Sequence, residues 1–182
     1  MDHENVFVHQ SATAQRLGEH FRVLGWDLPG HGNSAPASDF TMGDLAAAVL
    51  AAVDAYAGES SKFGYAGDSL GGAVGLQLML DAPERVAWAV LCCTGARIGE
   101  PEGWRDRAAS VRSDGTAVLL DSAPERWFAP DFPDREPQTA VALLDDLAAC
   151  DDKSYAAACD ALAEFDVRTR LAFVAACAAM VA

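Results

Sequence analysis

The chain has 182 residues, 51% of them hydrophobic and 22% charged, a composition typical of a globular protein with one sizeable core. Its 27 acidic and 13 basic residues give a net charge of −14. Nucleic acid and anionic membranes are therefore not expected partners, because a phosphate backbone requires a basic face. An anionic small molecule would need a local arginine.

The ends of the chain and its cysteines predict a cytoplasmic protein. No basic segment followed by an apolar run lies near Met1, so no signal peptide is expected. The apolar run 172–182 is far shorter than the roughly 20 residues of a membrane helix. Neither a paired framework nor a CxxC spacing occurs, so we expect no metal site and reduced thiols buried as small hydrophobic side chains. These thiols are Cys92, Cys93, Cys150, Cys159 and Cys177.

The first half of the chain alternates β-type runs with helical patterns. The strands are predicted at 21–27, 62–67 and 86–92, and the helices at 11–20, 41–56 and 70–80. Ser11 is a candidate helix cap, and Thr41 with Asp44 has the spacing of a capping box. The apolar run 6–9 has no clear assignment. This alternation predicts a doubly wound, mostly parallel sheet with right-handed crossovers, in which the run 86–92 is covered on both faces.

One pattern in this half carries a chemical mechanism. Gly67-x-Ser69-x-Gly71 has the form of a nucleophile elbow, a sharp strand-to-helix turn that exposes a serine hydroxyl at the top of a sheet. The glycines are needed because a Cβ would collide with the neighbouring strand or helix. An ordinary helix start with no chemistry remains the alternative. Ligands of such sheets bind at the carboxyl ends of the strands, where Asp27, Ser69 and the segment 93–97 should meet.

After Gly99 the alternation ends and the pattern is helical. Helices are predicted at 104–112, 116–122, 136–150 and 154–164, separated by turn signals at 113–115, Pro130 and Pro133. Short helices inserted after a strand of an α/β sheet predict a lid over the site. A helical bundle that completes the core is the alternative.

Several segments together resemble the α/β-hydrolases, and more closely the 3-oxoadipate enol-lactonases of aromatic degradation. They are the loop 27–34, the elbow 67–72, and the segments 82–86, 93–99, 125–130 and 151–166. The resemblance implies a partial α/β-hydrolase fold with a helical lid inserted after the strand that ends near Cys92. It divides the chain into a core at 1–98, a lid at 99–170 and an apolar tail at 171–182.

By this resemblance Ser69 would be the nucleophile that attacks a lactone carbonyl, and the backbone N–H of Leu70 would donate to the oxyanion. No metal or organic cofactor is implied. Asp68 is a weaker candidate, since dehalogenases and epoxide hydrolases of this fold use an aspartate, but the glycine frame centres on Ser69. Arg97 is the first choice to pair with a substrate carboxylate, and Arg126 and Trp127 of the lid are the second. Surface ion pairs and lid packing are the alternatives for these three.

The sequence departs from the family pattern in its triad. In this fold an acid and then a histidine follow the serine, whereas the last histidine here is His31. The run 173–181 could be the next strand, but no acid follows it. The earlier strands and the loop with the second oxyanion donor have no clear counterpart. His31 is expected in a turn rather than in a triad, and His3, His9 and His20 at the surface.

The sequence leaves three functions open. The first is a serine-dependent enol-lactone hydrolase, impaired because a serine without a base is a weak nucleophile. The second is a related esterase or cofactor-free perhydrolase, and the third a non-catalytic homologue that binds a ligand or partner. The expected partner is a small carboxylate lactone or ester. Exposed sheet edges would favour a homo-oligomer.

Overall fold

A three-stranded parallel sheet lies at the centre of the computed structural model, which describes residues 12–174 and 178–181. The strands are β1 (Phe63–Asp68), β2 (Val86–Cys92) and β3 (Ala178–Val181), in the order β1-β2-β3. The run expected at 6–9, the cap expected at Ser11, and His3, His9 and Cys177 lie outside the described residues. β3 falls within the C-terminal run considered for a strand.

Eight α-helices are described, five of them after β2. They are α1 (Ala12–Gly18), α2 (Met42–Ala57), α3 (Leu70–Asp81), α4 (Pro101–Asp114), α5 (Ala123–Trp127), α6 (Phe132–Arg135), α7 (Pro137–Ala149) and α8 (Asp152–Glu164). Two short 3-10 helices add Thr116–Leu119 and Arg168–Phe173. No helix in the described part of the chain is long and apolar enough to cross a bilayer.

The capping box predicted for α2 is confirmed. The Asp44 N–H donates to Thr41 Oγ1 at 3.1 Å, and the Thr41 N–H donates back to Asp44 Oδ2 at 2.8 Å. Aspartate therefore replaces the usual glutamate at the third helical position. The cap fixes the start of α2, whose buried stripe includes Leu45 and Val49.

The main core lies on one face of the sheet, under α2 and α3. Leu76 and Leu78 of α3 and Leu91 of β2 are almost completely buried there. β1 and β2 pair in parallel from Phe63 to Asp68, with one irregularity near Gly64. This β1-α3-β2 unit matches the predicted elements within two residues at every end, and it places the elbow at the carboxyl edge of the sheet.

The strand predicted at 21–27 is wrong. Residues 22–28 have no regular secondary structure, and no described strand pairs with them. Local preference favoured an extended chain, but a strand also needs a neighbour to accept and donate its backbone hydrogen bonds. Two strands, rather than three, therefore lie between residues 21 and 92.

The prediction that β2 is covered on both faces holds for only part of the strand. Ala89 and Leu91 are buried, whereas Ala87 is exposed and Trp88 keeps 39% of its surface accessible. The Trp88 ring lies over Gly64 and contacts Phe21, with ring centroids 5.9 Å apart. In the described part of the chain, the face of the sheet that carries Trp88 is therefore only partly covered, by the rings of Trp88 and Phe21.

The segment between β2 and β3 is helical, as expected for a lid. α4 packs along α8, where Ala108 and Val111 meet Ala156 and Cys159. The helix predicted at 116–122 is shorter, a 3-10 turn over Thr116–Leu119 whose first N–H donates to Asp152 Oδ1 at 2.7 Å. The alternative, a helical bundle that completes the core, is correct for α8, because Leu162 and Phe165 lie in the main core.

The start of α8 is fastened to the turn at 28–37. The Asp151 N–H donates to Gly30 O at 2.9 Å, and the Ala37 N–H donates to Ser154 Oγ at 3.0 Å. Gly30 has φ +72, and a Cβ there would overlap Ser154. The lid is therefore joined to the core at its last helix.

Candidate functional site

Ser69 stands between β1 and α3 in a backbone conformation that side chains seldom adopt. Its φ is 50° and its ψ is −113°, in the left-handed region that favours glycine. Such a conformation costs on the order of 1–3 kcal/mol and persists only where neighbouring contacts enforce it. The Ser69 N–H donates to Cys92 O at 2.8 Å, which fixes the turn to the end of β2.

The glycines around Ser69 have the steric role expected of an elbow. A Cβ at Gly67 would overlap the backbone carbonyl of Gly71, so strand and helix can approach this closely only without one. A Cβ at Gly72 would lie within 2.6 Å of Thr94 Cβ. The sequence pattern and the backbone geometry thus agree on a tight strand-turn-helix at Ser69.

The end of β2 forms the other half of the site. Cys93 also has φ 50° and is exposed, contrary to the expectation that all the thiols are buried. Its thiol donates a hydrogen bond to the Asp68 carboxylate, and this contact raises the pKa of Cys93. Cys93 is exposed because the left-handed turn after β2 points its side chain away from the core. Cys92 is partly buried, and Cys150 and Cys159 are buried as expected.

Arg97 lies in the loop that leaves the sheet for the lid. Its guanidinium forms an ion pair with Glu100, and its Nε is buried with no acceptor among the described residues. Nearby, hydrogen bonds from Arg168 lower the pKa of Asp166 to about 2, with a smaller contribution from the charge of Arg97. Arg97 therefore lies in a charged cluster with Glu100, Asp166 and Arg168, where the chain leaves the sheet for the lid.

Arg126 and Trp127 are both exposed on α5. Trp127 keeps 47% of its surface accessible and meets Phe128 edge to face, with ring centroids 6.5 Å apart. No hydrogen bond or ion pair joins either residue to Ser69 in the described part of the chain. The structure thus brings Asp68, Ser69 and Cys93 together, and the described bonds join neither lid candidate to them.

His31 has both ring nitrogens engaged away from Ser69. Nδ1 lies 3.0 Å from Pro29 O and donates to that carbonyl, so Nε2 is the acceptor for the Cys150 thiol at 3.5 Å. Burial raises the pKa of Cys150 to about 11, which keeps the thiol protonated. The histidine therefore joins the turn to the lid, and His20, the other described histidine, is exposed.

Sequence reasoning missed three polar side chains that organise this region. Tyr65 donates to Gly71 O at 2.7 Å, Ser154 holds the turn at 28–37, and Thr94 packs on Gly72 with a buried hydroxyl that has no described partner. Tyr65 could have been noticed as the one hydroxyl in an apolar strand, opposite glycines at 71 and 75. Ser154 and Thr94 carry no such local signal.

No group of three or more potential metal ligands occurs among the described residues. Two shallow depressions are present, one of about 440 Å³ along α7 near Val141 and one of about 300 Å³ beside Met79 and Trp88. Ser69 lines neither of them. The turns at Ser69 and Cys93 therefore lie outside both depressions.

Comparison with known proteins decides the family. Residues 5–114 match the family model of the alpha/beta hydrolase fold. The chain belongs to the α/β-hydrolase fold family. This α/β-hydrolase is 34% identical over 168 residues to 3-oxoadipate enol-lactonase 2 of Acinetobacter baylyi, a match that covers 92% of the chain and 62% of the relative. The chain thus spans about three fifths of the length of that relative.

Two further relatives show how far this similarity extends. The crystal structure of the enol-lactonase from Burkholderia xenovorans superimposes with a TM-score of 0.85 at 34% identity, covering 91% of this chain and 64% of that one. A pimeloyl-(acyl-carrier protein) methyl ester esterase of Aliivibrio fischeri is 31% identical over 107 residues, 59% of this chain and 39% of the esterase. The match to lactonases therefore extends through the lid, and the match to the esterase does not cover the whole chain.

Proposed function

We propose that this α/β-hydrolase is a serine-dependent hydrolase of the 3-oxoadipate enol-lactonase type, with Ser69 as its nucleophile. The observation that carries the proposal is the strained Ser69 turn within a chain whose similarity to an enol-lactonase covers core and lid together. The left-handed φ supports the elbow, because strain of this kind is retained where function requires it.

The reaction would run through an acyl-enzyme. Ser69 Oγ attacks the lactone carbonyl and loses its proton to a base, and the ring C–O bond breaks to release an enol that becomes the ketone. The Leu70 N–H, at the start of α3, donates to the oxyanion. Water then attacks the acyl carbon, and its addition frees Ser69 and the 3-oxoadipate carboxylate. No cofactor takes part in these steps.

We infer that turnover by these 182 residues is impaired, because neither described histidine bonds Ser69 as a base would. No histidine follows Ser69 in the sequence, and both nitrogens of His31 are engaged with Pro29 and Cys150. Without a base the hydroxyl stays protonated and is a weak nucleophile. Loss of a triad leaves roughly 10³–10⁴-fold catalysis over water, from the oxyanion donor and binding alone.

Arg97 is the proposed partner of the substrate carboxylate. Its Nε has no described acceptor although it is buried, and an unpaired buried donor is costly unless a ligand satisfies it. The proposal gives Arg126 and Trp127 secondary roles at the lid, where both are exposed. The surface ion pair of Arg97 with Glu100 remains the competing role.

An esterase is the second candidate, and the partial match to the methyl ester esterase favours it. Residual kcat/KM for the enol-lactone and for 4-nitrophenyl acetate separates the two. We expect the lactone to be preferred, with both rates several powers of ten below those of an intact triad. A preference for the aryl ester would remove the lactonase assignment.

The carboxylate contact is tested in the same assay. Arg97→Gln should raise KM for the lactone by at least about tenfold and leave KM for the neutral ester unchanged, since a charge-assisted hydrogen bond contributes roughly 1.5–3 kcal/mol. Arg105→Gln is the matched control, because Arg105 also pairs with a glutamate on the lid surface but lies on α4. Equal effects of the two variants would assign Arg97 to the ion pair alone.

A further inference from the structure

A tyrosine lies directly beneath the turn that carries Ser69. Tyr65 belongs to β1, and its hydroxyl donates to the backbone carbonyl of Gly71 at 2.7 Å. Gly71 is in the first turn of α3, two residues after Ser69. The hydrogen bond therefore joins the strand before the elbow to the helix after it.

The helix is shaped to receive this ring. Gly71 and Gly75 are four residues apart, so they share one face of α3. A Cβ at Gly75 would lie 2.7 Å from Tyr65 Cε1 and 2.5 Å from Leu91 Cδ2, and a Cβ at Gly71 would lie 3.9 Å from the Tyr65 hydroxyl. Burial also raises the pKa of Tyr65 far above its ordinary range, so the hydroxyl remains a donor at any working pH.

The first turn of α3 needs an external support. Its leading N–H groups have no acceptor within the helix, and Gly71 and Gly72 give the turn more conformational freedom than other residues would. The side chain of Ser69 makes no capping hydrogen bond to it. Gly67 lies close to the backbone of Gly71, and the Tyr65 hydroxyl donates to the Gly71 carbonyl. These two contacts restrict the movement of the turn.

We propose that Tyr65 is a positioning residue of the nucleophile elbow. Its hydroxyl holds the first turn of α3 so that the N–H groups from Leu70 onward converge on negative charge beside position 69. This role rests on the function proposed above, since Tyr65 would position the Leu70 N–H that donates to the oxyanion in that reaction. Tyr65 itself touches neither substrate nor reacting atoms.

A thiol placed at the elbow measures this positioning without any need for turnover. Ser69→Cys is made together with Cys93→Ala, which removes the exposed neighbouring thiol. Alkylation by iodoacetamide is followed against pH, and the peptide containing position 69 is quantified by mass spectrometry. A helix N-terminus stabilises a thiolate, so we expect the introduced thiol to have a pKa below the ordinary value of about 8.5.

Tyr65→Phe in this background is expected to raise the pKa of the introduced thiol by about half a unit, a roughly threefold loss of thiolate at pH values below that pKa. Tyr56→Phe is the matched control and should leave this pKa unchanged. Tyr56 lies on α2, and its exposed ring packs under the Arg22 guanidinium. Amide hydrogen exchange of the peptide 69–75 should become faster in Tyr65→Phe alone, while the rest of the protein keeps its protection.

Two results would overturn the proposal. An unchanged thiol pKa with unchanged amide exchange in Tyr65→Phe shows that the hydroxyl does not position the turn. An ordinary pKa of the introduced thiol in the parent shows that the turn stabilises no anion, and Tyr65 then has nothing to position. A failure of the lactonase assignment is read separately, from the ratio of kcat/KM values for lactone and ester.

Discussion

Two non-glycine residues with left-handed φ lie side by side at the carboxyl edge of the sheet. Ser69 follows β1 and Cys93 follows β2, and each has φ 50°. The Ser69 turn could be predicted from sequence, because the steric demand for glycine at 67 and 71 is local and leaves a pattern. The Cys93 turn could not, because no glycine marks it and its hydrogen bond to Asp68 crosses between strands.

The cysteines differ in exposure, and we therefore expect their thiols to be alkylated at different rates. Cys93 should be alkylated by iodoacetamide at least about tenfold faster than Cys150 at pH 8, because the pKa of both thiols is raised but only the Cys93 thiol is exposed to the reagent. Burial raises the pKa of both Cys150 and Cys159 to about 11, so their rates should keep rising with pH up to that value in the folded protein.

Peptide mass spectrometry over a pH series measures these rates residue by residue. Cys159 is the matched control for Cys150, since burial is the leading cause of the raised pKa in both. Comparable rates at Cys93 and Cys150 near neutral pH would contradict the burial of the Cys150 thiol against His31.

At the scale of elements, the sequence predicts what local chemistry decides. The capping box of α2 and the bounds of α3 and β2 were predicted correctly, because caps and hydrophobic period act within a few residues. The strand predicted at 21–27 was wrong, because pairing depends on a neighbour that the run itself does not encode. The bond from the Thr116 N–H to Asp152, 36 residues away, likewise joins distant parts of the chain and leaves no local pattern.

A buried hydroxyl makes one of the two hydrogen bonds that attach the start of α8 to the core turn. Ser154 is fully buried, donates to Asp151 Oδ1 at 2.7 Å and accepts from the Ala37 N–H at 3.0 Å. Ser154→Ala would leave that N–H unpaired, so the free energy of unfolding should fall by about 1–3 kcal/mol. Urea denaturation followed by circular dichroism measures the change.

Ser122→Ala is the control for this loss, because Ser122 is an exposed serine whose hydroxyl bonds only Leu119 O. It should change the free energy of unfolding by less than about 0.5 kcal/mol. A Ser154→Ala protein as stable as this control would show that the turn and α8 are not joined through the hydroxyl.

For the whole molecule, the sequence resemblance predicted more than periodicity could. Core, lid and family were predicted from motifs spread from the loop at 27–34 to the segment at 151–166, and the match to the alpha/beta hydrolase fold confirms the family. The position of the lid helices relative to Ser69 was not predictable, because it depends on contacts such as Gly30 with Asp151 that join distant parts of the chain. The lid candidates Arg126 and Trp127 stay proposals.

The residues present in the whole chain limit the chemistry that can be proposed for it. The 182 residues contain the serine proposed as the nucleophile and the Leu70 N–H proposed as an oxyanion donor, but all four histidines precede Ser69. The described ones are His20, which is exposed, and His31, which is bonded to Pro29 and near Cys150. Under the proposed function, Ser69 would therefore be an unactivated nucleophile within these residues.

Labelling by a fluorophosphonate probe tests this combination most directly, since the probe reacts with an activated serine irrespective of the natural substrate. Wild-type protein and Ser69→Ala are incubated with the probe, and the modified peptide is identified by mass spectrometry. We expect no labelling of position 69 in wild type, which should match the variant. Rapid labelling of Ser69 that disappears in Ser69→Ala would contradict it, because a group within these 182 residues would then be acting as the base.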